Sequence, residues 1–461
     1  MHVIDPVRSV NRNLPQRRLD GAELVRDLEE RLRRSQDPLE RAHLADRLVP
    51  ELVTDYQGER AAEVLAGIAD PVGDVDLQAC ILALRGVVKA LNGGSPADDI
   101  EAALRLLPRL SGPKSAIVRH RAGVASLHAH NAHDAEEHQL AALALCDQYG
   151  MRWLGARASG ALYALCYHVT GDLQGARYYA KLTTSLANAA GDAKVRRMFL
   201  GAQYDLACVF ADWDEAKSLR ELLRRDRSPE DYVVGYPLRI SDALLLGQAG
   251  DFAAMRGRLE AALSAGNSPV DNSFILALQA LATAGLGNKA EARTLARRSL
   301  GLSGIRQAEE QVHLATRRRL AGVIAAWVSV IVGDTYHGMR ALGVRARWTG
   351  SSGALAAALE REARGLTYDG ENPSIAPVRG YLAVAQRARL GMLSLEAVVP
   401  FKLTTTELDV LRAVAQGKSN AAIALERGVS RNAVERRLMS AYDKLEVRTR
   451  VEAIAKISKL L

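Results

Sequence analysis

The sequence predicts an all-α protein, and three observations carry that expectation. From about Leu19 to Leu366, Ala and Leu recur at helical spacing, with few alternating runs of β-branched residues. A short punctuation signal, a Gly or small residue followed by a polar residue and a new helix start, returns at Gly58, Gly94, Ala132, Gly171, Ala211, Gly250, Gly287 and Gly333, in steps of 36 to 46 residues. Residues 403–461 then divide into four short amphipathic segments with clear start and stop residues.

The punctuation has a physical reading. In Gly171-Asp172-Leu173, Ala211-Asp212-Trp213 and Gly287-Asn288-Lys289, the small residue suits the left-handed end of one helix. The Asp or Asn after it suits the N-cap of the next helix. A unit of this length cannot bury its apolar face alone, so neighbours are expected to stack into a superhelix with a concave surface. The units resemble tetratricopeptide-like repeats, although with a longer and looser period; an unrepeated helical bundle is the alternative. Gly, Asn and two prolines cluster between Thr367 and Pro377 and mark the expected boundary. The organisation read from these signals is an N-terminal tail over 1–18, helical repeats over 19–366 as a sensor or interaction domain, a linker with one helix over 367–402, and a C-terminal domain over 403–461.

Composition narrows the class. The chain has 461 residues, enough for a large core without staples, and its four cysteines form no Cys-x-x-Cys pair. Cys80, Cys146, Cys166 and Cys208 stand among apolar or small neighbours and read as reduced core residues of a cytoplasmic protein. The first twenty residues lack the apolar run of a signal peptide, and the apolar stretch Ala321 to Gly333 is too short to span a bilayer, so it reads as a buried helix and no membrane is expected. The formal net charge of +8 suits a polyanionic partner without demanding one.

Catalytic chemistry finds little support. No Ser/His/Asp or Cys/His arrangement stands out, so no enzyme, cofactor or metal is expected. His128, His130, His133 and His138 lie near Asp134, Glu136 and Glu137, but their spacing fits no zinc pattern and reads as a solvated turn. Gly417-Lys418-Ser419 looks like the end of a phosphate-binding loop, yet a helix precedes it and the first Gly of that motif is replaced by Arg412. Arg317-Arg318-Arg319 reads as a solvated helix end.

The C-terminal segment carries the specific pattern. Leu408, Val410, Leu411 and Val414 form the buried stripe of a first helix that ends at Gly417. Ser419 or Asn420 caps a second, 421–427, with Ile423, Ala424 and Leu425 read as facing inward, and Gly428 makes the turn. Ser430 caps a third, from Arg431 to about Leu445, whose Val434, Leu438, Ala441, Tyr442 and Leu445 share one face while Arg431, Asn432, Glu435, Arg436 and Lys444 occupy the other. This order places a recognition helix in a DNA major groove. A last helix, 451–461, offers Ile454, Ile457, Leu460 and Leu461 as a dimer face or as cover for the domain's own core.

The run from Leu403-Thr404 and Glu407 through Gly417, Ser419-Asn420, Gly428-Val429-Ser430, Val434, Leu438, Tyr442 and Lys444-Leu445 to Arg450 resembles the LuxR/GerE family of helix-turn-helix regulators. The resemblance implies double-stranded promoter DNA as partner and a homodimer on two half-sites. It also exposes departures: Ala433 and Glu435 stand where the family usually has Thr and Lys, and Arg436 and Arg437 where it often has a polar residue and His. The expectation is that Arg431, Arg436 and Arg437 attract phosphate or read guanine, while Glu435 reads cytosine, orients an arginine, or simply forms an intrahelical ion pair. Lys418, Ser419 and Lys444 are expected at phosphates, and Asn420, Ser430, Asn432 and Ala433 complete the expected interface.

A central window of aromatics, Tyr149, Trp153, Tyr163, Tyr167, Tyr178, Tyr179, Tyr204 and Trp213, reads first as packing and second as a groove for a peptide, protein or small-molecule ligand. The functional expectation is thus a DNA-binding transcriptional regulator whose repeats sense a ligand or partner. The alternatives are a scaffold whose C-terminal fold docks a protein, or a factor associated with RNA polymerase, since Val429 to Val434 is also similar to sigma region four.

Overall fold

The computed structural model describes residues 21–54, 57–71, 73–225, 232–263, 269–304, 312–348, 350–366, 373–392 and 403–459. Among them there is no strand. In chain order the helices are α1 (Gly21–Arg34), α2 (Pro38–Thr54), α3 (Gly58–Ala66), α4 (Val75–Leu91), α5 (Ala97–Arg105), α6 (Gly112–His128), α7 (Ala132–Gln148), α8 (Arg152–Ala164) and α9 (Leu173–Ala190). There follow α10 (Ala193–Val209), α11 (Trp213–Arg225), α12 (Tyr232–Ala249), α13 (Phe252–Leu263), α14 (Pro269–Gly285), α15 (Lys289–Ser303), α16 (Val312–Ile331), α17 (Thr335–Arg345), α18 (Gly350–Ala363) and α19 (Arg379–Met392). Last come α20 (Thr405–Ala415), α21 (Asn420–Arg427), α22 (Arg431–Leu445) and α23 (Arg450–Lys459). The chain separates into two compact units, Met1–Thr170 with Tyr178–Arg196, and Gly171–Arg177 with Arg197–Leu461.

The punctuation seen in the sequence is a turn of fixed design. At Ala211 the backbone is left-handed (φ 63°), and the next amide, Asp212 N–H, donates back to the Ala207 carbonyl at 2.8 Å. Gly250 (φ 85°) does the same through Asp251 N–H to the Leu246 carbonyl at 3.0 Å. The Asp251 carboxylate then accepts from Ala254 N–H at 3.0 Å, so one residue closes α12 and caps α13. Asn288 and Asp192 repeat both roles. The expected small residue at Ala132 is displaced: the left-handed position is His130, and Asn131 caps α7. Gly58 is not a turn residue either, since it is the first residue of α3 and is buried against Asn92.

Turns this short bring consecutive helices together, as α6 on α7 in the first unit and α14 on α15 in the second. Within each unit helices also pack on the next but one, α4 on α6 in the first and α14 on α16 and α16 on α18 in the second, as stacked hairpins do. Side chains cross from one hairpin to the turn of the next: Arg256 reaches Glu291 at 2.8 Å and Arg297 reaches Asp334 at 3.1 Å.

In the first unit, Leu28, Leu48, Leu52, Leu77 and Ile81 form a core that is fully or almost fully buried. Beside it lies a charge pair far apart in sequence. Arg121 on α6 donates to the Asp46 carboxylate on α2 at 2.6 Å and to the Cys80 carbonyl at 3.0 Å. Burial alone would lift the Asp46 carboxyl, but the charges of Arg121 and Lys114 outweigh it and hold the group below its ordinary value.

In the second unit α16 is the buried helix expected from Ala321 to Gly333, with Trp327 fully enclosed. No described helix is long and apolar enough to cross a membrane. Arg317-Arg318-Arg319 is not a solvated helix end: all three are half-buried on α16, and Arg317 pairs with Asp271 at 2.8 Å. Of the expected linker, residues 367–372 and 393–402 lie outside the described residues, as does the tail. The helix between them, α19, packs on α12 and α14, with Tyr381 edge-to-face on Phe274 at 6.2 Å.

The turn design generates a paired test. Nothing lies within 4 Å of a Cβ added at Gly250, so only its left-handed backbone opposes a side chain, and Gly250→Ala should cost about 1 kcal/mol. Ala211→Gly should have the opposite sign, a gain of up to about 1 kcal/mol, because it relieves the same conformation. Calorimetric melting of both variants reads the difference; equal signs would contradict the shared geometry.

Candidate nucleic-acid interface

Three caps set the C-terminal helices. Thr404 and Glu407 form a reciprocal capping box: the Thr404 hydroxyl accepts from Glu407 N–H at 3.3 Å, and Thr404 N–H donates to the Glu407 carboxylate at 2.7 Å. Ser419 accepts from Ala422 N–H and Ser430 from Ala433 N–H, both at 3.2 Å. Left-handed Gly428 (φ 60°) ends α21, and Glu446 (φ 54°) ends α22. Val410, Leu411, Val414, Ile423, Val434, Leu438, Ala441, Leu445 and Ala453 fill the core that these caps enclose.

Glu407 does more than cap. Its side chain is almost wholly buried and accepts from the Ser440 hydroxyl at 2.5 Å and from the Lys444 ammonium at 2.9 and 2.7 Å. Burial would raise this carboxyl, but bonds from Lys444, Ser440 and Thr404 prevail and bring it down to about 2. The start of α20 is therefore tied to the C-terminal half of α22. A second tie comes from α23, where Arg450 donates to the Asn420 side-chain oxygen at 3.0 Å and to the Lys418 carbonyl. Asp409 adds a third, holding Arg412 at 3.2 Å and Arg427 of α21 at 3.1 Å.

These ties sort the expected contact residues. Lys444 has its ammonium ion-paired with Glu407 within the domain. Asn420 is half-buried and engaged with Arg450, and Lys418 is ion-paired with Glu426. Ser419 and Ser430 are exposed, with their hydroxyls used as caps. On α22 Arg431, Asn432 and Arg436 are exposed, and Ala433, Glu435 and Arg437 are half-buried. Glu435 takes the intrahelical pairing, with Arg431 Nε at 2.9 Å.

At about 100° per residue, Arg431, Asn432, Glu435, Arg436 and Met439 fall within an arc of about 140° on the open side of α22. Arg437 lies about 100° beyond Arg436, on the flank it shares with Ser440 and Lys444. The two neighbouring arginines thus point to different surroundings. Met439, 62% exposed, sits at the centre of the open arc and was missed because it is apolar; its spacing from Asn432, Glu435 and Arg436 is the signal that places it there. Leu425 is a correction in the other direction. It is 86% exposed, since three consecutive helical residues span about 200° and cannot all follow Ile423 and Ala424 inward. Of the expected dimer face, Ile454 is half-buried against the domain's own core, while Leu460, Leu461 and the side chain of Ile457 lie outside the described residues.

The central aromatics do not share one environment. Tyr204 is fully buried with its hydroxyl donating to Asp242 at 2.8 Å, which makes it core rather than groove lining. Tyr163 and Tyr167 stack with centroids 5.6 Å apart at a π-helical turn, 165–170, and Trp213 is half-buried. Tyr178 packs edge-on against Tyr179, and Tyr149, Trp153 and Tyr178 are exposed. Among the described residues no group of three or more His, Cys, Asp or Glu could hold a metal ion.

The Glu407 ties generate a pH prediction. A carboxyl near 2 in the fold and at an ordinary 4.5 when unfolded stabilises the domain above about pH 4.5 and loses that contribution as pH falls toward 2. Glu407→Ala should cost about 3 kcal/mol at pH 7, and the melting difference from wild type should shrink steadily below pH 4.5. A variant that melts like wild type at pH 7 would refute the role.

Comparison with known proteins agrees with this geometry. Residues 402–457 match the family described as bacterial regulatory proteins, luxR family. No curated protein matches the chain. The chain is similar to the crystal structure of NprR in complex with its cognate peptide NprX, at 14% identity and a TM-score of 0.46, over 80% of this chain and 99% of that one. Residues 402–457 are thus a luxR-family regulatory domain, carried on a chain whose other described segments are helical.

Proposed function

We propose that the protein is a sequence-specific, DNA-binding transcriptional regulator of the cytoplasm, with repeats over 19–366 that sense a ligand or protein partner and a DNA-binding domain over 403–461. The observation that carries this reading is the open arc of α22, where Arg431, Asn432 and Arg436 project from a helix whose opposite face is locked into the domain core. A helix presented this way fits the major groove.

Within the arc the roles divide by chemistry. Arg436, without an ion pair among the described residues, is the guanine or phosphate contact. Glu435 holds Arg431 in place, so that Arg431 reads as an oriented guanidinium rather than a free one. Met439 supplies apolar surface for a thymine methyl. Ser419, Ser430 and Lys418 sit where the helix starts approach the backbone and serve register rather than sequence. A homodimer on two half-sites completes the reading, after the family's habit.

A second reading has a specific observation behind it. Leu425 and Met439 are large apolar side chains left in solvent on adjacent helices, as a protein-docking surface would leave them.

A gel-shift series at fixed salt separates the two, using an operator that the wild-type protein selects from random DNA. Arg436→Ala and Arg431→Ala should each weaken binding by about 1 to 3 kcal/mol, roughly tenfold or more. Unchanged affinity in both variants would remove α22 as the reading helix.

A further inference from the structure

Arg121 is answered by Asp46 and Arg389 by Glu362. Arg345, the last residue of α17, has no answering acid among the described residues. It is half-buried, its Nε is sealed from solvent without a hydrogen-bond partner, and among the described residues no carboxylate pairs with it. Its charged form is disfavoured first by burial and then by the like charge of Arg318, the reverse of what a salt bridge does.

The surroundings hold this guanidinium in place all the same. It lies over the Trp348 ring, 4.6 Å from the centroid. Gly322 on α16 provides the slot: a Cβ there would stand 2.9 Å from Arg345 Nε, 3.3 Å from Nη2 and 3.3 Å from the hydroxyl of Ser303 at the end of α15. Arg318 is one helical turn before Gly322 on the same face, so two guanidinium groups border one site. Arg345, positioned by a ring and a glycine slot and without a hydrogen-bond or carboxylate partner of its own among the described residues, is a cation that water meets poorly and an anion meets well.

We propose that Arg345, floored by Trp348 and bordered by Arg318, Gly322 and Ser303, is a binding site for an oxyanion, a phosphoryl or carboxylate group of a small ligand. The planar Nη edge of Arg345 supplies two parallel donors, and Trp348 fixes the plane of the fork. The site lies wholly in the second unit and stands on this geometry whether or not the repeats act as a sensor.

The experiment titrates inorganic phosphate and, separately, acetate into the full chain by calorimetry, with chloride adjusted to constant ionic strength. A saturable isotherm is expected for at least one of the two, and the tighter one identifies the oxyanion class. Arg345→Met removes the charge and keeps the stem, and should abolish the isotherm. Gly322→Ala leaves both charges but displaces the guanidinium, and should weaken binding at least tenfold. If Arg345→Met does not fold, as judged by its helical circular dichroism, Gly322→Ala and Arg318→Met carry the same comparison. Absence of a saturable isotherm with both anions, or equal binding in the folded variants, overturns the site.

Discussion

A single turn geometry organises this chain from the repeats to its C-terminus. One residue adopts a left-handed backbone, the following amide donates back into the helix just ended, and an Asp, Asn or Ser caps the helix about to begin. Ala211-Asp212 and Gly250-Asp251 use it within the hairpin stack, and Gly417 and Gly428 use it in the C-terminal domain, where Lys418 N–H and Val429 N–H close back to the Ala413 and Ala424 carbonyls. Because such a turn consumes few residues, it satisfies the orphaned groups of two helix ends and leaves the helices no choice but to pack on each other. The stack and the helix-turn-helix are, at this level, the same device with different helix lengths.

Turns set connectivity, but buried charge sets orientation. Glu407 is the clearest case: one carboxylate closes its own helix start, then reaches α22 through Ser440 and Lys444. Breaking a buried pair is expensive, so the C-terminal half of α22 cannot roll relative to α20 without leaving Glu407 unanswered. Arg450 fixes the other side by clamping the turn before α21. The result is a helix whose outward arc is decided by polar anchors on its inward flank. Arg121 and Asp46 perform the same service in the first unit, joining α2 and α6 across 75 residues of sequence.

Apolar residues on the open surface follow from the same constraint. Once Ile423 and Ala424 face the core, Leu425 has to face away, and once Leu438 and Ser440 are claimed by core and anchor, Met439 is left outward. The surface of the C-terminal domain is thus partly a by-product of what its interior requires. Arg345 shows the converse, a half-buried cation beside α15 and α16 with a ring beneath it but no answering acid among the described residues.

The sequence by itself determined the all-α class, much of the repeat punctuation, the Ser430 cap and the luxR-like frame, because periodicity and helix-end chemistry are local and written within a few residues of where they act. It also named Arg431, Asn432 and Arg436 as outward. It did not find that Glu407 joins two helices through Ser440 and Lys444, because this depends on partners 33 and 37 residues away. Composition could not divide the aromatic window into enclosed Tyr204 and exposed Tyr149, Trp153 and Tyr178 either, since burial depends on which helices come to lie above a residue. Only the tertiary structure decided which charges answer one another across helices, for the physical reason that an ion pair is a property of distance in space and not of spacing along the chain.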